Sequence, residues 1–282
     1  MHDTKRATSG VSRRAFITGA GVMLGAVVAP AVIRTTEASA AAPKALPWAY
    51  TPQDPDKLAR RAYEVFFQSG CSEATAWPLI EALAADTSNP DRELWASIPK
   101  NVFAYGGAGL NAWGTVCGTL NGSSAILSMC GGPATIIDAN MRYYAETPLP
   151  TNRIDNAYRS GWRPVSGPAP KMNAPTTTGH TQLCHASISV WTTMTGTTFS
   201  SAERKDRCAK ASHDLMRNTV VLLNRWAAGE VIPALVLSDA EKACSPCHSG
   251  NAKGRMDCDS CHDETATSDG SATLDGHSVT AW

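Results

Sequence analysis

The sequence predicts a mainly α-helical protein: a helical-bundle body followed by a short, loop-rich C-terminal segment. Three observations carry this. Apolar residues recur at helical spacing through much of residues 50–235. Proline and small polar residues stand where helices start. Beyond about residue 239 the composition shifts to Ser, Asp, Gly, Thr and Cys, which cannot build an apolar core unaided.

Taken in order, Asp54 can cap a helix whose first turn begins at Pro55, where the missing N–H costs nothing. Leu58, Ala62, Val65 and Phe66 continue it, and a second helix carries Cys71, Ala74, Trp77, Ile80 and Leu83. The stretch Gly106–Gly132 is rich in small residues, which let a helix approach its neighbours closely. Pro133 starts a further helix through Tyr144. Residues 147–179 are dominated by Pro, Thr, Asn and Gly and read as a long irregular connection. Ser201–Ala228 is the clearest helix, with Leu215, Thr219, Leu222 and Trp226 on one face. Such helices sharing one core make a bundle of four or more.

The N-terminus has a different character. Ser12-Arg13-Arg14-Ala15-Phe16-Ile17 leads into an apolar run from Ala15 to Ile33, and Ala38-Ser39-Ala40 offers small residues for cleavage. Residues 1–40 thus read as a twin-arginine signal peptide, which places the mature protein in the periplasm. A membrane span competes, but Gly19, Gly21, Gly25 and Pro30 interrupt the run. No later segment reaches spanning length, so no span is expected in the mature protein. Residues 41–238 then form the cysteine-containing body and 239–282 the C-terminal segment. Removing residues 1–40 leaves 20 basic against 23 acidic side chains. That balance gives no electrostatic case for nucleic acid or an anionic membrane as partner.

The C-terminal segment carries Cys244-Ser245-Pro246-Cys247-His248 and Cys258-Asp259-Ser260-Cys261-His262. In a C-x-x-C-H sequence the two thiols can form thioethers to haem vinyl groups, and the next imidazole becomes an axial iron ligand. Two motifs imply two haem c per chain, with His248 and His262 proximal. The four cysteines also fit a four-thiolate zinc site, which would make the chain a zinc-stapled structural protein. Zinc, however, has no need of a histidine after each pair. Twin-arginine export carries folded proteins, which fits a body that folds early and a tail that accepts haem later.

Six-coordinate irons need two further ligands. His2 leaves with the signal, and His180, His185 and His277 are the candidate distal ligands, in that order. His213 ranks last, because a histidine in a strong helix is more often a satisfied core or surface residue. Met256 and body methionines are alternatives that would raise the potential. Cys71, Cys117, Cys184 and Cys208 lie on separate segments that a bundle could bring together. Four thiolates suit an iron–sulfur cluster, disulfides suit an oxidising compartment, and buried free thiols are the third option. Cys130 stands outside this set and reads as structural.

The order Gly70-Cys71, Cys117-Gly118-Thr119-Leu120-Asn121-Gly122, Cys184-His185, Arg207-Cys208-Ala209 resembles the C-GCAxxG-C-C family of redox proteins. With the paired C-x-x-C-H tail and the twin-arginine leader, the chain is similar to the split-Soret cytochromes c over nearly its whole mature length. It departs at the central motif, where Val116 precedes the cysteine in place of glycine and Gly118-Thr119 follow in place of alanine. The resemblance implies a homodimer with helical bodies and four haems gathered at one end. The two haems of a subunit would lie nearly parallel and in contact, each iron with two histidines and one distal ligand drawn from the partner subunit. Contact between porphyrins couples their optical transitions and divides the Soret band. The expected role is electron transfer rather than catalysis. The redox partners would be dehydrogenases, hydrogenases or other cytochromes. A small-molecule oxidoreductase using a haem or the body cysteine site is the alternative; it requires an open coordination position.

Overall fold

The computed structural model describes residues 44–236, together with the backbone of 273–274 and 277–278. Residues 1–40, expected to be a signal peptide, and both C-x-x-C-H motifs lie outside the described residues. Among the described residues, seven α-helices are arranged in chain order: α1 Pro55–Ala85, α2 Arg92–Ala96, α3 Gly118–Met129, α4 Ala134–Glu146, α5 Arg153–Arg159, α6 Cys184–Thr195 and α7 Ala202–Ala227. A short antiparallel pair, β1 Thr273–Leu274 and β2 His277–Ser278, places His277 opposite Leu274. The body is a helical bundle built around α1 packed on α7, with α3 against both.

The start of α1 follows from its sequence. Asp54 accepts hydrogen bonds from the amides of Asp56 (2.9 Å) and Lys57 (3.0 Å), with Pro55 in the first turn. The two helices expected from the pattern adjoin end to end across Gly70, whose φ of 82° and ψ of −178° no L-residue adopts without strain. Cys71 therefore opens the second half of α1. Leu79, Ile80 and Leu83 from this half meet Met216, Val220 and Leu223 of α7, with Trp95 of α2 closing that end. Each such side chain contributes about 1.5–3 kcal/mol by leaving water. Ser201 caps α7 by accepting from the amide of Arg204 at 3.1 Å.

Small residues bring α3 against α1. A Cβ on Gly122 would stand 2.0 Å from the Ser72 carbonyl oxygen. One on Gly118 would stand 2.2 Å from the Gly106 carbonyl oxygen and 2.3 Å from the Cys71 sulfur. The helix itself begins only at Gly118. Residues 107–117 are irregular, with Ala108, Leu110, Asn111 and Ala112 all at positive φ. Buried Glu73 anchors the start of this loop region by accepting from the amides of Asn101 (2.7 Å) and Phe103 (2.9 Å).

The expectation of an irregular connection over 147–179 needs correction, because α5 lies within it. Buried Ile154 gives that helix an apolar anchor. Asp155 is held by Lys210 of α7 at 2.8 Å. A tertiary ion pair thus supplies what local propensity does not. No helix among the described residues is long and apolar enough to cross a membrane.

Candidate metal centre

Four cysteines from four helices line one cavity of about 420 Å³. Cys71 follows the Gly70 break in α1, Cys117 is the N-cap of α3, and Cys184 is the first residue of α6. A short backbone bridge explains why two of them meet. Val116 pairs with Leu183, the Cys117 amide donates to Gln182 O (2.9 Å) and the Cys184 amide to Thr115 O (2.8 Å). The chain segments entering α3 and α6 are thereby locked side by side, and each delivers its cysteine at the helix start. Cys208 comes from α7 and is half-buried, while the other three are buried. Cys130 lies apart in the core between α1 and α7, where burial pushes its thiol up to about 12. None of the five body cysteines is joined to another in a disulfide.

Three of the four thiols sit at helix starts, where unpaired amides favour negative charge. Cys117 is the centre of the group. Its acidity is raised well above that of an ordinary thiol, chiefly by the neighbouring Cys184 and Cys71, and Thr119 Oγ1 donates to its sulfur at 3.2 Å. Cys71 and Cys184 are shifted the other way, chiefly by Cys117 and then by burial. Arg207 of α7 adds a buried positive charge: its Nη2 donates to Ser187 Oγ at 2.8 Å, and its Nε has no acceptor among the described residues. The buried Tyr144 hydroxyl lies beside Cys117. Among the described residues no three His, Cys, Asp or Glu side chains converge tightly enough to hold a single metal ion. Soft thiol donors set round a cavity that Arg207, with its unpaired Nε, also lines fit a polynuclear iron–sulfur group better than one bare ion.

The histidines divide as their burial dictates. His180 is exposed on a left-handed backbone (φ 52°), its amide bonded to Ala145 O at 2.9 Å. His185 is exposed in the first turn of α6, next to Cys184. His213 is buried and its Nδ1 lies 3.1 Å from Asp214 Oδ1, the satisfied core histidine that its helical position foretold. For His277 only the backbone is described.

No family model matches the chain. It is 26% identical over 226 residues to the split-Soret cytochrome c of Desulfovibrio desulfuricans (strain ATCC 27774 / DSM 6949 / MB), covering 76% of each chain. Its fold superimposes on the solved structure of a split-Soret cytochrome c from that organism with a TM-score of 0.62 and 25% identity, covering 77% of this chain and 91% of the other. This chain is a relative of split-Soret cytochrome c. It is accordingly a cytochrome-type redox protein of mainly helical fold. The solved split-Soret cytochrome c is described as containing a novel iron centre.

Two residues of the site were not singled out from the sequence of this split-Soret cytochrome relative. Arg207 was legible in principle, since it falls on the same stripe as Ala211, Leu215 and Thr219, where a cation is out of place. Tyr144 left no such signal, because an aromatic at a helix end is ordinary core material.

Proposed function

We propose that the chain is a periplasmic di-haem c-type cytochrome that transfers electrons and holds an iron–sulfur cluster in its body. Cys244, Cys247, Cys258 and Cys261 would carry two haem c through thioethers, with His248 and His262 as proximal ligands. Cys71, Cys117, Cys184 and Cys208 would hold the cluster. The observation that supports this most directly is that these four cysteines, far apart in sequence, line one cavity while Cys130 lies elsewhere. A cluster so held supplies one-electron redox chemistry.

The chain's own residues would do the rest. Cys117 enters the site readiest to lose its proton. Gly118 lets α3 close on the Cys71 sulfur. Burial of three of the four sulfurs limits the access of water and oxidants. Exposed His180 and His185 could each reach outward to a haem iron, in the same subunit or in a homodimer partner. Export by the twin-arginine route would deliver the body already folded. Dehydrogenases, hydrogenases or other cytochromes would then exchange electrons with it. The test is iron and haem stoichiometry of the purified full-length protein, with absorption spectra of both redox states. Iron in excess of two haems per chain, lost in C71S with both haems retained, is the expected result; iron equal to haem in the wild type refutes the cluster.

A further inference from the structure

Helix α7 buries two cations completely, and their surroundings differ. Lys210, 0% exposed, lies between Asp155 (2.8 Å) and Asp206 (3.2 Å) and also donates to the Lys171 carbonyl. Arg207, 1% exposed, has no carboxylate partner among the described residues. Its side-chain partners are the neutral Ser187 hydroxyl and the Cys208 sulfur, and its Nε is unpaired among the described residues. A guanidinium stays charged at any pH a protein survives, and burying it without an anion costs several kcal/mol. The groups able to carry negative charge that face it are Tyr144, Cys208 and Cys117, from α4, α7 and the start of α3.

We infer that the counter-charge of Arg207 is the thiolate set at the cavity, and that Arg207 is the positioning residue that balances the charge of the group those thiolates hold. The second half of this inference rests on the cluster reading above. Four thiolates around an iron–sulfide core remain net negative in either oxidation state, and gaining an electron adds one more negative charge. A fixed buried cation therefore favours the reduced form. Arg207 holds the midpoint potential up, and its loss moves the potential negative.

Two linked measurements on the full-length protein test this. The first is a stability cycle in urea with R207M in the wild-type and in the C117A/C208A background. With thiolates as counter-charge, R207M lowers the unfolding midpoint in the wild type. It leaves the midpoint unchanged or raises it where the thiols are gone. Equal effects in both backgrounds overturn the inference. Should R207M not accumulate, R207Q replaces it in the same cycle. The second measurement compares R207K with R207Q. The neutral variant should lose non-haem iron to a chelator on the order of 10–100-fold more readily, with a more negative midpoint potential, and lysine should restore both. Equal losses in the two variants would mean that shape and not charge matters, and overturn it. If the wild type holds no iron beyond its haems yet the stability cycle shows coupling, the cluster reading falls and the pairing of Arg207 with thiolates stands. If that iron is present without coupling, the pairing falls and the cluster stands.

Discussion

Gly118 joins sequence and site closely, since a Cβ there would overlap the Cys71 sulfur and the Gly106 carbonyl oxygen. Gly118→Ala should cost about 1–3 kcal/mol through forced displacement of α3 and should release the non-haem iron. Urea denaturation and iron content check both, and an alanine variant with full iron would show that α3 can withdraw without opening the site. The histidines offer a second prediction at this scale. His180→Ala or His185→Ala should give one haem a high-spin spectrum, because both imidazoles are exposed and free to reach outward. His213→Ala should leave both haem spectra alone, since its ring is buried against Asp214. A spectral change in His213→Ala with none in the other two would reverse this assignment.

Helices that carry their own start signals were legible at the element scale. Asp54-Pro55 and Ser201 mark α1 and α7 by local chemistry, and each helix presents a long apolar stripe. The short α2 and α5 were not, because five or seven residues cannot show a period and both owe their existence to tertiary partners. Helix α6 was hidden by its Ser and Thr content, although the Cys184-His185 pair at its start had been noted. The far end of α1 yields a prediction in pH. Asp86 accepts from Thr51 Oγ1 (2.5 Å) and from the amide and hydroxyl of Ser88 (2.9 and 2.7 Å), and these bonds hold its carboxyl down at about 2. A carboxyl depressed on folding stabilises above its unfolded pKa and loses that contribution as pH falls through the folded value. Asp86→Ala should therefore lower the urea midpoint at pH 7, and its difference from wild type should shrink from about pH 4 and vanish towards pH 2. A difference independent of pH would rule out the carboxylate as its source.

Across the whole molecule, polar pairs join segments that the apolar core does not. Lys210 ties α7 to α5 through Asp155, and Tyr63 of α1 donates to Asp206 at 2.7 Å. Lys210→Met would leave two buried carboxylates without their cation. It should cost about 3–5 kcal/mol, read as a lowered urea midpoint, whereas a neutral outcome would mean that one carboxylate takes up a proton at little expense. What the sequence determined by itself was whatever depends on near neighbours. The capped helices, the bundle class and the covalent potential of each C-x-x-C-H motif all follow from residues a few positions apart. Tertiary structure alone decided that Cys71, Cys117, Cys184 and Cys208 share a cavity that excludes Cys130. It also set the buried Arg207 guanidinium beside them. Those facts depend on the packing of α1, α3, α6 and α7, and on a two-residue bridge between Val116 and Leu183, and no local pattern encodes a distance between residues so far apart along the chain.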